Sequence, residues 1–188
     1  MIDRVAARDA MAAFLRALGH DPADRLDLRD TPERVTAAFA DELLAGYAID
    51  PAELVRAGAC ALPGPTAADL VTVRGIQVTT VCPHHLLPGL GTATVADLPG
   101  ERCLGIGVIA RLVDACARRL VLQETLARTV VDTLMSHAGA RGAYCRVDLM
   151  HTCLTCRGAR EVNARVTVTA RAGALAGPAP DPEDGSGP

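Results

Sequence analysis

The stretch Leu70-Val71-Thr72-Val73-Arg74-Gly75-Ile76-Gln77-Val78-Thr79-Thr80-Val81-Cys82-Pro83-His84-His85 runs a strand pattern straight into a cluster of metal-binding side chains. Val71 and Val73 alternate with Thr72 and Arg74, the period of two expected of a half-buried strand. Gly75 predicts a bulge that moves the apolar positions onto Ile76 and Val78. Working outward, Thr92 to Leu98 reads as the antiparallel partner, and Pro99-Gly100 turns the chain. Helical spacing follows. Val108, Leu112 and Cys116 line one segment and Leu126, Val130 and Leu134 a second, with Gln123-Glu124 at their junction. A second strand pair, Tyr144 to Leu154 and Val162 to Arg171, closes the unit. The order strand–strand–helix–helix–strand–strand is one α+β unit.

Upstream, Val5, Met11, Phe14, Leu15 and Leu18 fall near helical spacing and Gly19 is a stop. Asp30-Thr31-Pro32-Glu33 predicts a second helix start, with Thr31 as cap and Pro32 in the first turn. Val35, Phe39, Leu43 and Leu44 give that helix one apolar face. Gly58 to Pro65 reads as loop, and the small and polar residues from Gly173 onward read as a disordered tail. The expected organisation is an N-terminal helical region over 1–57, a catalytic domain over 58–172 and a tail over 173–188.

With 188 residues, 49% of them apolar, the chain can build one substantial core. A net charge of -3 excludes a general nucleic-acid binder, which would be basic. No run approaches the roughly 20 apolar residues of a membrane helix, and no secretory signal opens the chain. Seven cysteines cannot all pair, so reduced thiols and a cytoplasmic setting are expected. There is no lysine, so anion binding falls to arginine or backbone amides.

Cys82-Pro83-His84-His85 and His151-Thr152-Cys153 together offer two thiols and three of the chain's five histidines. Two sulfurs and one nitrogen suit Zn2+, and three protein ligands leave a fourth position for water. The working assignment puts Cys82, His85 and Cys153 on the metal and leaves His84 and His151 for proton transfer, a hydrolase-like site. If the strand runs through to Leu154, His151 and Cys153 share one face with Val147 and Leu149. Two duller readings stay open: ordinary buried thiols with satisfied histidines, and a closed structural zinc site with Cys156 as fourth ligand.

Several motifs in order resemble the GTP cyclohydrolase I family. Gly19-His20-Asp21-Pro22 with Asp30-Thr31-Pro32-Glu33-Arg34-Val35 is similar to its N-terminal signature. Cys82-Pro83-His84-His85-Leu86-Leu87-Pro88 resembles its zinc and histidine motif, Arg118-Arg119 and Gln123-Glu124 its Arg-Arg and Gln-Glu, and His151-Thr152-Cys153 with Arg157-Gly158 its second zinc segment. The resemblance implies a tunnelling fold assembled into a ring-shaped homodecamer with active sites between subunits. It implies that zinc-activated water attacks C8 of the guanine ring of GTP while His84 protonates N7. Formate leaves, His151 serves the later proton transfers, and the product is 7,8-dihydroneopterin triphosphate. Glu124 would accept from the guanine N1–H and amino group, Gln123 would help hold the base, and Arg111 and Arg157 would contact the triphosphate.

The chain also departs from that family. Gly105-Ile106-Gly107-Val108 replaces Gly-Leu-Ser-Lys, so the ribose-associated serine is Gly107 and the phosphate-binding lysine is Val108. Pro83 stands for a glutamate, Arg56 is a weak substitute for a second lysine, and the final helix is missing. Each charge-assisted phosphate contact contributes roughly 1.5–3 kcal/mol, so triphosphate binding should weaken unless arginine compensates. Two alternatives follow. One is a specialised-metabolism paralogue that opens a guanine nucleotide, with fewer phosphates, and stops at a formamido- or triaminopyrimidine without pterin closure. The other is a non-catalytic ring-forming zinc protein.

Overall fold

The computed structural model describes residues 2–61 and 69–177 and divides into two compact units, Met1–Ala45 and Gly46–Pro188. In the first, α1 (Arg4–Ala17) starts on Asp3, whose carboxylate accepts from the Ala6 N–H at 2.9 Å. It ends before Gly19, which takes a left-handed φ of +84°. Helix α2 (Thr31–Ala37) continues into a π-helical turn over Ala38–Leu43. Thr31 is the first helical residue rather than the cap. Asp30 holds the cap position without a side-chain cap bond, and Pro32 lies in the first turn, where its missing N–H costs nothing.

The second unit contains α3 (Pro51–Gly58), which falls at the end of the expected helical region though its own start and stop were not read from the sequence. Its cap is Asp50, which accepts from Ala52 N–H, and Pro51 follows. Ala59–Ala61 (β1) then pairs antiparallel with β4 (Arg102–Leu104), so the expected loop over 58–65 is strand where it begins. Its residues 62–65 lie outside the described residues. Arg102 donates to the Ala59 carbonyl at 2.8 Å and so fastens β4 to the end of α3.

The main sheet has the antiparallel order β2-β3-β5-β6. Its strands are β2 (Val71–Val81), β3 (Pro88–Leu98), β5 (Gly142–His151) and β6 (Val166–Gly173). The register shifts between Val73 and Ile76, where Gly75 takes φ +69°. This is the expected bulge, and it turns Ile76 and Val78 inward after it. Helices α4 (Ile106–Ala117) and α5 (Gln123–Thr133) lie between β4 and β5 in the chain, α5 continuing as a π-helical turn over Leu134–Ala138. Leu112, Leu126, Val130 and Leu134 are fully buried against Val95, Val147 and Leu149 of the sheet. The predicted strand–strand–helix–helix–strand–strand order is the observed one.

The bounds of three strands differ. β3 begins at Pro88 rather than Thr92, β6 runs over Val166–Gly173 rather than 162–171, and β5 stops at His151 instead of Leu154. The last has a physical cause. His151 pairs with Gly89, and the next partner would be Pro88, which has no N–H to continue the ladder. Thr152 Oγ1 instead donates to the Pro88 carbonyl at 2.6 Å, and Thr152–Thr155 form a single helical turn, α6. The expected tail also starts later. Gly173 closes β6 and the Ala174 N–H donates to the Arg141 carbonyl at 2.9 Å, while residues 178–188 lie outside the described residues.

Candidate active site

Antiparallel pairing brings the two motif segments together. Cys82-Pro83-His84-His85 forms the turn from β2 to β3, and β5, which pairs with β3, ends at His151 beside Gly89. The turn is closed by Cys82 N–H to the Leu87 carbonyl and Leu86 N–H to the Cys82 carbonyl, both at 2.9 Å. It holds Leu86 at φ +54°, a left-handed conformation costly for a side chain with a γ-branch. A parallel bridge from Val81 to Leu120 fixes the α4–α5 connection beside the same turn. The start of α5 therefore faces it.

Cys82, His85 and Cys153 bring one donor atom each to within 4.8 Å of one another. Tetrahedral ligation at about 2.0–2.3 Å places donor atoms roughly 3.3–3.8 Å apart, and Cys82 Sγ lies 3.7 Å from His85 Nδ1. Burial and the neighbouring Cys82 sulfur push the Cys153 thiol up. Two sulfurs that repel as thiolates are the environment a divalent cation relieves, so these residues fit a metal ion. Cys153 arrives there from the α6 turn, not along a shared strand face as the uninterrupted strand would require. Cys156 is exposed, sits 3.7 Å from the Thr155 hydroxyl and is not in the group.

One cavity is lined by Cys82, His84, Leu122, Glu124, His151 and Cys153. His84 lines this cavity and its ring meets that of His85 edge to face, with centroids 6.2 Å apart. Burial lowers the His151 pKa, and Glu124 opposes it by raising it.

Gln123 is 4% exposed and its amide is fully engaged. Nε2 donates to the Val147 and Val166 carbonyls, each at 2.8 Å, and Oε1 lies 2.7 Å from His151 Nε2. Because two carbonyls take both amide protons, Oε1 can only accept. His151 then donates from Nε2, and in the neutral ring that burial favours Nδ1 is the lone pair. Gly89 makes room for that ring, since a Cβ there would stand 3.2 Å from Nδ1. Sequence reasoning did not find this linkage; a glutamine at the first helical turn facing a strand end was its one visible signal.

The arginines separate. Arg157 lies near enough to Cys153 to oppose in small part the rise in its pKa, Arg111 sits on the exposed face of α4, and neither lines the cavity. Arg119 donates to the Ala115, Gly46 and Ile49 carbonyls and stacks over Tyr47, a structural role. Arg118 pairs with Asp114 at 2.7 Å and Arg56 with Glu53 at 3.0 Å. Val108 is buried, with its Cγ2 only 2.5 Å from where Gly58 would carry a Cβ, and Gly107 has open space around it.

The family model of GTP cyclohydrolase I matches residues 7–180. The chain belongs to that family. GTP cyclohydrolase 1 of Leifsonia xyli is 41% identical over 181 residues, covering 94% of this chain and 91% of the relative. That of Bifidobacterium longum strain DJO10A is 36% identical over 178 residues, 94% and 86% of the two chains. Among solved structures, the archaeosine synthase QueF-Like in the apo form aligns with 58% of this chain and 99% of its own at 19% identity and TM-score 0.46.

Proposed function

We propose that this family member is a zinc-dependent hydrolase that opens the imidazole ring of GTP, releases formate and forms 7,8-dihydroneopterin triphosphate. The observation that carries the reading is the Cys82–His85–Cys153 donor group sharing a cavity edge with His84, His151 and Glu124. Curated relatives covering more than nine-tenths of the chain bear the name GTP cyclohydrolase 1.

Zinc held by Cys82, His85 and Cys153 would supply a Lewis acid and lower the pKa of water at its open position. His84, on the cavity side of the turn, delivers a proton to N7 as the C8–N bond opens. His151, fixed through Nε2 by Gln123, presents Nδ1 to accept and return protons in the later steps. Glu124, exposed at the cavity, accepts from the guanine N1–H and amino group, a pattern that adenine does not offer. Gln123 serves the base indirectly, by orienting His151. Arg157 meets the triphosphate from beside Cys153. Arg111, outside the cavity of its own chain, would reach the phosphates of a neighbouring subunit's site in a ring-shaped homo-oligomer, a decamer by resemblance to the family. A cytoplasmic setting suits a centre that needs two reduced thiols.

The test is incubation of the zinc-loaded chain with GTP, GDP and GMP. Formate together with a fluorescent pterin after oxidation is the expected result with GTP. Formate without pterin would overturn the proposed product in favour of arrest at the ring-opened pyrimidine. No formate from any of the three would overturn the hydrolase reading.

A further inference from the structure

We propose that Cys60 and Cys103 form a reversible dithiol–disulfide site that exchanges with low-molecular-weight disulfides. They stand directly opposite one another in the β1–β4 ribbon, with their sulfurs 3.4 Å apart. An S–S bond is about 2.05 Å long, so closure requires the sulfurs to approach by roughly 1.4 Å, within reach of side-chain rotation. The backbone that sets this spacing is held independently by Arg102, which donates to the Ala59 carbonyl one residue before Cys60. Cys60 is exposed and Cys103 half-buried, so an oxidant can reach the pair.

The remaining thiols are otherwise placed. Cys116 and Cys145 are buried, and burial pushes them up to about 11 and about 12. Cys82 and Cys153 belong to the donor group, and Cys156 lies against the Thr155 hydroxyl. Cys103 is itself pushed up, first by its contact with Cys60, then by burial and by Asp97. The difference in exposure makes Cys60 the attacking sulfur and the half-buried Cys103 the resolving one. Cys60 thiolate attacks one sulfur of RSSR and expels RS⁻, which takes up the proton that Cys60 gave. Cys103 then attacks the mixed disulfide at Cys60 and releases a second RSH. The two cysteines lose two electrons and RSSR gains them. The bond ties the end of α3 to the start of α4 and touches no side chain lining the cavity, so turnover should continue in either state.

The experiment equilibrates the metal-loaded full chain in mixtures of reduced and oxidised glutathione, followed by alkylation, non-reducing peptide mapping and thermal melting. The expected oxidised species is lighter by about 2 Da, contains a peptide joining Cys60 to Cys103 and melts several degrees higher than the reduced one. Cys60→Ser and, as a second variant, Cys103→Ser should each abolish both the link and the shift, while Cys156→Ser leaves both. Thiols that persist at the most oxidising ratio would overturn the proposal. Stable single glutathione adducts at Cys60, or a bond between Cys60 residues of two chains, would overturn it as well.

Discussion

Gln123→Leu removes, in a nearly isosteric change, the three hydrogen bonds that join α5 to β5, β6 and His151. The Val147 and Val166 carbonyls lose their side-chain donor in a region 4% exposed at Gln123. Val147 is paired on both sides within the sheet, so its carbonyl keeps a ladder partner, and the main cost falls on the Val166 carbonyl, roughly 1–3 kcal/mol for an unsatisfied buried polar group. Part of that is offset by the apolar side chain that replaces the amide. A net loss of about 2 kcal/mol lowers the melting temperature of a chain this size by roughly 4–8 °C. His151 simultaneously loses the acceptor that fixes its ring, and a misplaced proton donor costs on the order of 100-fold in kcat, with KM little changed. Gln123→Glu separates the two effects. It keeps an acceptor for His151 but offers no donor to the carbonyls, so stability falls while much of the rate survives. Long-range proton–nitrogen NMR of the imidazoles should find His151 protonated on Nε2 in the parent chain. A parent ring protonated on Nδ1, or a leucine variant melting within about 2 °C of the parent, would refute the reasoning.

Cys153→Ala leaves only Cys82 and His85, so bound metal should fall from about one per chain to near none and formate release with it; full metal content in elemental analysis would refute the ligand set. Asp97 is buried with Oδ1 unpartnered among the described residues, and burial raises its pKa from the ordinary 3.8 to about 6. A carboxyl raised on folding favours the native state below its unfolded value and loses that contribution as pH climbs through its folded value, here between about 4 and 6. Asp97→Asn should therefore stabilise the fold at pH 7.5 by on the order of 3 kcal/mol, read as a raised melting temperature, and leave that temperature nearly unchanged near pH 4 in calorimetry. Gly58→Ala should destabilise by roughly 1–3 kcal/mol through its clash with Val108, and Val108→Ala in the same chain should recover most of the loss in urea unfolding.

The hydrophobic periods of the main sheet and its two helices were legible because each element buries one face, and even the bulge at Gly75 left its trace as a change of alternation. The donor group was legible because soft ligands in two short motifs leave few ways to converge. What the sequence hid was set by partners far along the chain. Cys153 leaves its strand because Pro88, 65 positions earlier by subtraction of the two numbers, ends the ladder. The β1–β4 ribbon consists of two three-residue strands, too short to display alternation. The anchoring role of Gln123 stayed hidden because nothing local announces that the Val147 and Val166 carbonyls will claim both its amide protons.

The altered Gly105-Ile106-Gly107-Val108 segment acquires a physical meaning from packing. Val108 occupies the space that a Cβ on Gly58 would take, so the two residues form one close contact between α3 and α4. The loss of a cation at that position is therefore a change of core packing as much as a change of ligand recognition. A lysine restored there would have to thread its chain past α3 before reaching water. The donor group, His84 and His151 lie elsewhere, on the strand ends and the turn between β2 and β3, and Val108 does not line their cavity. In the proposed reading, ring opening rests on the β2–β3 turn and the end of β5, whereas the position of the family's lysine lies apart from them on α4. Losing that lysine then leaves the donor group in place, and phosphate recognition would fall to arginines, whose planar guanidinium groups pair with phosphate oxygens two at a time. In a chain without lysine, that is the one side-chain cation chemistry left for a triphosphate at neutral pH other than histidine.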